Sequence, residues 1–166
     1  MIQKKVCMLG AFAVGKTSLV ARYVKSVFSE KYLTTVGVKV DKKDVVVEDR
    51  TVSLMLWDIN GQDDYQAVQQ SYLRGTSGYL LVVDGTRRAT LETVAKLQQV
   101  VESVAGAVPF VVVLNKADLS QEWQVDERGL MKIADRGWPI VRTSAKTGEG
   151  VEETFIKLTR AMLGQP

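Results

Sequence analysis

Residues 10–17 read GAFAVGKT, and their types and spacing suit the binding of a phosphate group. Glycines allow the backbone N–H groups of a loop to curve around an anion, and a following helix adds positive potential at its N-terminus. We expect Lys16 to reach the terminal phosphates and the Thr17 hydroxyl to bind Mg²⁺. A chance match in an ordinary strand–turn–helix is the alternative. Phe12 raises a question, because a bulky apolar ring stands where the loop would face the reacting phosphate.

The stretch WDINGQ offers a second set of groups for phosphate chemistry. Asp58 closes a predicted strand, and a carboxylate there suits Mg²⁺, which prefers hard oxygen ligands. Gly61 would let a backbone N–H approach the terminal phosphate, and Gln62 could orient a water molecule. The alternative is an ordinary turn in which Asp58 caps a helix.

The stretches LNKAD and TSAK suit the recognition of a guanine base. Guanine presents two adjacent donors, its ring N–H and its amino group, and the carboxylate of Asp118 can accept both. Adenine lacks this pair, so the feature favours guanine. Asn115 is expected to support the loop, while Ser144 and the N–H of Ala145 brace it and contact the guanine carbonyl oxygen. Taken singly, LNKAD is better explained as a polar turn after a strand, and TSAK alone carries no functional signal.

The order of the motifs agrees with an alternation of strands and helices. Strands are predicted at 4–9, 38–47, 51–58, 78–84, 109–115 and 138–144, and helices at 16–24, 91–104, within 122–136 and at 151–162. Gly129 weakens the third helix, and a tight turn at 48–50 joins the second and third strands. We predict an α/β fold with a six-stranded, mostly parallel sheet and helices on both faces. Every motif follows the carboxyl end of a strand, where ligands bind in this architecture.

Composition narrows the classes of protein that remain. A chain of 166 residues fits a single domain, 1–166, and the absence of histidine excludes histidine bases and metal ligands. Cys7 is predicted to be a core residue. The net charge is +3 and the basic residues are scattered along the chain, so we expect no nucleic-acid partner. The sequence shows no membrane span, signal peptide or prenylation cysteine. We therefore expect a cytoplasmic protein with no lipid anchor within this chain, and membrane association only through a missing tail or a partner.

Together, the motifs GAFAVGKTSLV, TTVGVKV, WDINGQ, NKAD and TSAK resemble those of a Ras-superfamily small GTPase, and most closely the Rab branch. The resemblance covers nearly the whole chain and implies a P-loop NTPase G domain. It implies a switch that binds GTP or GDP with Mg²⁺, slowly hydrolyses GTP and signals through two loops. It also implies that Phe28 stacks on guanine and that Thr35 closes onto Mg²⁺ and the terminal phosphate. A core aromatic at Phe28 and a plain loop residue at Thr34 are the alternatives.

The resemblance also implies partners, namely effectors, exchange factors or GTPase-activating proteins that bind the switch loops. The expected catalytic residues are Gln62, Lys16 and Thr35, and the expected metal ligands are Thr17, Thr35 and Asp58. The expected nucleotide-binding residues are Gly10, Ala13, Val14, Gly15, Lys16, Thr17, Ser18, Phe28, Thr35, Gly61, Asn115, Lys116, Asp118, Ser144, Ala145 and Lys146.

Two departures from the pattern matter for activity. Phe12 replaces a residue that is small in many relatives, so we expect binding to survive and hydrolysis to be slow. Asp63 and Asp64 replace the usual Glu-Arg pair and change the charge of the second switch. A nucleotide-locked, hydrolysis-deficient scaffold is an alternative function, which Phe12 favours and Gln62 disfavours. An ATP-using P-loop enzyme such as a small kinase is another, and NKAD argues against it.

Overall fold

A computed structural model describes residues 2–24, 31–33, 38–59 and 70–164, and its centre is one β-sheet. The strands are β1 (Ile2–Gly10), β2 (Lys31–Leu33), β3 (Lys39–Val47), β4 (Arg50–Asp58), β5 (Gly78–Asp84), β6 (Phe110–Asn115) and β7 (Ile140–Arg142). Their order across the sheet is β2-β3-β4-β1-β5-β6-β7. The pairs β2–β3 and β3–β4 are antiparallel, and the other four pairs are parallel.

The six predicted strands and their mostly parallel arrangement are confirmed. The three-residue β2 joins the edge beside β3 and was outside the prediction. The strand predicted at 138–144 is shorter than expected, because β7 ends at Arg142 and the next two residues turn into the site described below. The predicted turn between β3 and β4 holds Glu48 and Asp49 at φ 50° and 65°, the paired positive values that fit the twist of a two-residue hairpin.

The described helices are α1 (Lys16–Val24), α2 (Gln70–Leu73), α3 (Arg88–Ala105), α4 (Glu127–Asp135) and α5 (Val151–Met162), with a 3-10 helix at Ala117–Glu122. The helix predicted within 122–136 is α4. Gly129 weakens it less than expected because it lies in the first turn, where its N–H bonds the Asp126 side chain at 2.9 Å.

Side chains alternate between two buried layers, which confirms helices on both faces. Along β1, Val6 and Met8 belong to the layer covered by α1 and α5, whereas Cys7 and Leu9 belong to the layer covered by α3. The predicted core position of Cys7 is confirmed, since its side chain is fully buried. In the described part of the chain, no helix is long and apolar enough to cross a membrane.

Candidate functional site

The phosphate loop runs from the end of β1 to the start of α1, and close packing on both sides explains its glycines. A Cβ atom on Gly10 would lie 2.5 Å from the carbonyl oxygen of Val82 in β5. A Cβ atom on Gly15 would overlap the side-chain amide of Asn115, and its φ of 105° also favours glycine. The loop therefore follows the sheet edge more closely than any larger residue would allow.

Ala13 has a left-handed backbone conformation, with a φ of 62°. A residue with a Cβ atom loses roughly 1–2 kcal/mol in this region relative to right-handed geometry. Two cations bond the carbonyls on either side of the Ala13 Cα. Lys116 Nζ donates to the Ala13 oxygen at 3.3 Å, and Arg87 Nη2 donates to the Phe12 oxygen at 2.6 Å. The Phe12 residue itself is 63% exposed.

Lys16 lies inside the loop with only 6% of its surface exposed. Its ammonium donates to the carbonyl oxygens of Gly10 at 3.2 Å and Ala11 at 3.4 Å. Burial lowers the pKa of Lys16, and the nearby Asp58 carboxylate opposes this shift. The loop thus holds a poorly solvated positive charge whose hydrogen-bond partners, among the residues that the structure describes, are neutral carbonyls.

Thr17 and Asp58 meet at the first turn of α1. The Thr17 hydroxyl donates to Asp58 Oδ2 at 2.5 Å, and Asp58 is 3% exposed. The second oxygen, Oδ1, is buried with no hydrogen-bond partner among the described residues. Leaving such an acceptor unsatisfied costs about 1–3 kcal/mol. A hydroxyl beside a carboxylate with a free oxygen is a donor set that fits Mg²⁺.

Asn115 joins three loops at the end of β6. Its Nδ2 donates to the carbonyl oxygen of Val14 at 2.9 Å, and its Oδ1 accepts from Thr143 Oγ1 at 3.1 Å and from the Ala145 N–H at 3.3 Å. Asn115 is 2% exposed, so these bonds are shielded from water. The phosphate loop and the two base loops are therefore fixed to one another.

Asp118 lies at the start of the 3-10 helix with an exposed side chain. Ser144 Oγ donates to Asp118 Oδ1 at 2.7 Å and accepts from the Thr147 N–H at 3.1 Å. This chain of bonds fixes the orientation of the carboxylate while leaving it accessible to a ligand.

Trp123 holds the NKAD loop through a hydrogen bond to its backbone. Its indole N–H donates to the carbonyl oxygen of Lys116 at 2.9 Å, and Lys116 has a left-handed φ of 72°. A Cβ atom on Gly85 would overlap the Trp123 ring, so the indole packs directly on that backbone. The guanidinium of Arg142 lies 4.6 Å from the ring centroid.

Asp84 is a buried carboxylate at the end of β5, between the phosphate loop and the NKAD loop. Its Oδ2 forms ion pairs with Lys116 Nζ at 2.8 Å and Arg87 Nε at 3.0 Å, and its Oδ1 accepts two bonds from Thr86. Burial by itself would raise the pKa of Asp84. The hydrogen bonds from Lys116, Thr86 and Arg87 outweigh burial and lower the pKa.

A cleft of about 370 Å³ connects the phosphate loop to the base loops. Its lining residues are Gly15, Ser18, Asn115, Lys116, Asp118, Leu119, Ala145 and Lys146. The structure therefore brings together the sequence-predicted residues of three motifs in one concavity. Thr17 and Asp58 meet beside the loop.

Several predicted residues lie outside the described part of the chain. They are Phe28, Thr34, Thr35, Gly61, Gln62, Asp63 and Asp64. Sequence reasoning also missed four residues that shape the site, namely Asp84, Arg87, Trp123 and Thr143. A signal existed for Asp84, because it ends the apolar run GYLLVVD at the same sheet edge as the motifs.

Comparison with known proteins agrees with this arrangement. Residues 5–164 match the Ras family. The chain is 35% identical to the Ras-related protein Rab-4 of Dictyostelium discoideum over 161 residues, which are 96% of this chain and 78% of that protein. It is 30% identical to the Ras-related protein Rab-13 of Canis lupus familiaris over 161 residues, 96% of this chain and 79% of that protein.

The chain therefore belongs to the Ras family, and its resemblance to the Rab branch is confirmed. The class of protein is that of GTP-binding molecular switches with GTPase activity.

Proposed function

We propose that this chain, acting as one domain of residues 1–166, alternates between GTP- and GDP-bound states and signals the difference through two switch loops. The observation that carries the proposal is the cleft that unites the phosphate loop with the NKAD and TSAK loops. A cleft of about 370 Å³ that runs between these loops suits an elongated ligand with a base at one end and phosphates at the other.

Selection of guanine is assigned to the fixed carboxylate of Asp118. Ser144 holds one carboxylate oxygen, so the group is already oriented before a base arrives. A bidentate pairing with the guanine ring N–H and amino group then needs little reorganisation. Asn115 keeps the surrounding loops together, and Lys116 forms one wall of the cleft.

The phosphate end is assigned to Lys16, Thr17 and Asp58. Arrival of phosphate oxygens gives the buried Lys16 ammonium stronger partners than the two carbonyls it now bonds. Thr17 and Asp58 would hold Mg²⁺, with Asp58 Oδ1 as the available oxygen. When bound, Mg²⁺ supplies positive charge that offsets the charge on the phosphate oxygens.

Hydrolysis and switching are assigned to Lys16 together with Thr35, Gly61 and Gln62, of which the last three lie outside the described part of the chain. Gln62 orients the attacking water, and Lys16 stabilises the charge that develops on the transferred phosphoryl group. Thr35 and Gly61 bind the terminal phosphate, and its loss releases both loops. Effectors, exchange factors or GTPase-activating proteins would read these loops. A cytoplasmic location, with membrane association only through a further tail or a partner, belongs to the same proposal.

A nucleotide-locked scaffold is the second candidate, and Phe12 favours it. A ring at this position can crowd the terminal phosphate and displace Gln62, and a displacement of about 1 Å can lower a rate a hundredfold. The 63% exposure of Phe12 agrees equally with a ring that turns into solvent and costs little.

The test is single-turnover hydrolysis of GTP by the purified protein with Mg²⁺, with Gln62→Leu and Phe12→Gly alongside it. We expect slow turnover that falls at least tenfold in Gln62→Leu and rises in Phe12→Gly. Tight GTP binding without turnover in the natural chain or Gln62→Leu would favour the scaffold. Equal rates for Phe12→Gly and the natural chain would exclude the inhibitory role of Phe12. Competition with ATP tests the kinase alternative.

A further inference from the structure

Arg87 belongs to none of the nucleotide-binding motifs, yet it reaches the phosphate loop across 75 residues of sequence. It precedes α3, and its side chain is 42% exposed. One guanidinium nitrogen donates to the Phe12 carbonyl oxygen and another to Asp84 Oδ2. The side chain is thus fixed at both ends of its planar fork, a geometry that lysine cannot reproduce.

Arg87 and Lys116 act on consecutive peptide groups. Lys116 bonds the carbonyl of Ala13, Arg87 bonds the carbonyl of Phe12, and both cations pair with the same buried oxygen of Asp84. The two bonded carbonyls belong to the peptide groups before and after the Cα of Ala13, the strained residue of the loop. Fixing both carbonyls opposes rotation of either peptide group, and such a rotation would take Ala13 out of the left-handed region.

We propose that Arg87 is a positioning residue that holds the phosphate loop in its strained, phosphate-binding conformation. The proposal rests on the proposed function for the identity of the ligand, a guanine nucleotide. Without Arg87, the peptide between Phe12 and Ala13 is free to rotate, because alanine has no preference for the left-handed region. The loop then presents its N–H groups less often in the orientation that an anion needs.

The neighbouring Arg88 provides a matched control. It has the same side chain and stands one position along, but its guanidinium bonds the Gln124 carbonyl and pairs with Asp126 at 3.7 Å. Those groups belong to the α3–α4 side of the fold, away from the phosphate loop. Removal of Arg88 therefore reproduces the loss of a half-exposed charge without affecting Phe12 or Ala13.

The experiment measures release of a fluorescent GDP analogue from Arg87→Ala, Arg88→Ala and the natural chain, each repeated in an Ala13→Gly background. We expect release five- to tenfold faster in Arg87→Ala and unchanged in Arg88→Ala. In the Ala13→Gly background the effect of Arg87→Ala should fall below twofold, because glycine adopts the left-handed conformation without strain. An equal effect of Arg87→Ala in both backgrounds, or no effect in either, would overturn the proposal.

Amide hydrogen exchange separates failure of this proposal from failure of the proposed function. Faster exchange at residues 11–15 in Arg87→Ala than in Arg88→Ala is expected whether or not a nucleotide is bound. If the natural chain bound no guanine nucleotide, the proposed function would fail. Amide hydrogen exchange at residues 11–15 would still test whether Arg87 holds the loop. Normal nucleotide binding with identical exchange in the two arginine variants would overturn the role of Arg87 alone.

Discussion

At the guanine end of the cleft the polar side chains are held by hydrogen bonds from other side chains, whereas at the phosphate end a buried cation and one carboxylate oxygen lack such partners among the described residues. Asn115 uses both ends of its amide, and Asp118 is held by Ser144. By contrast, within the described residues the buried Lys16 bonds only loop carbonyls, and Asp58 Oδ1 has no partner. One end is organised without a ligand, and the other is completed by one.

This difference separates two ways in which a protein obtains binding free energy. The guanine end needs little rearrangement on binding, so its hydrogen bonds to the ligand contribute mainly to discrimination between bases. The phosphate end contains a desolvated cation and an unsatisfied carboxylate oxygen, whose costs are relieved when anionic and cationic groups arrive. Such costs lower the stability of the empty protein and make its stability depend on the nucleotide.

The largest expected effect comes from Lys16→Met, which removes the charge at the phosphate end. We expect GTP affinity to fall at least a thousandfold, about 4 kcal/mol, measured by titration. The free energy of unfolding of the nucleotide-free protein should stay equal or rise, because the variant buries no charge. Lys132→Met, at an exposed lysine of α4, is the control and should change neither quantity.

The pH dependence of Lys16→Met follows from the lowered pKa of Lys16. Since the folded-state pKa lies below the ordinary 10.5, the unfolded chain binds more protons just below that pH. The natural chain should therefore gain stability relative to the variant as the pH rises towards 10.5. A loss over the same range would contradict the contrast between the two ends.

The second effect concerns discrimination at the guanine end, where we consider Asp118→Asn. An amide offers a donor where the guanine amino group needs an acceptor, so affinity for GTP should fall about a hundredfold, about 2.7 kcal/mol. Affinity for xanthosine triphosphate should rise, because xanthine carries a carbonyl at that position. Asp135→Asn, an exposed acid at the end of α4, should leave both affinities unchanged. A variant that lost both nucleotides equally would show that Asp118 is structural.

The smallest effect concerns Asp84, which links the two ends through Lys116 and Arg87. Asp84→Asn should lower the free energy of unfolding at pH 7 by about 2 kcal/mol, since it leaves two cations without their anion. Because the folded-state pKa lies below the ordinary 3.8, the stabilisation is complete above pH 3.8 and is lost as the pH falls through the lower value. The free energies of unfolding of Asp84→Asn and of the natural chain, measured with denaturant, should therefore become equal in acid. Asp49→Asn, in the hairpin turn, is the control and should leave the free energy of unfolding at pH 7 unchanged.

The sequence was sufficient to predict the features that depend on local pattern. Apolar runs located the six main strands, and the motifs at their carboxyl ends located Lys16, Asn115 and Asp118. Tertiary geometry was needed for the rest. The left-handed Ala13 is a backbone property, and the Arg87–Phe12 bond joins residues 75 positions apart. Motif spacing carries no information about either.

The indole of Trp123 has a practical consequence for spectroscopy. Of the three tryptophans in the chain, Trp123 is the one bonded to a wall of the cleft, through the carbonyl of Lys116. A cation, Arg142, lies over its ring. Indole emission responds to both hydrogen bonding and nearby charge, so the arrival of a purine against Lys116 should change the natural fluorescence of the protein. The exchange of nucleotides could then be followed optically in real time, with neither the chain nor the nucleotide carrying a label.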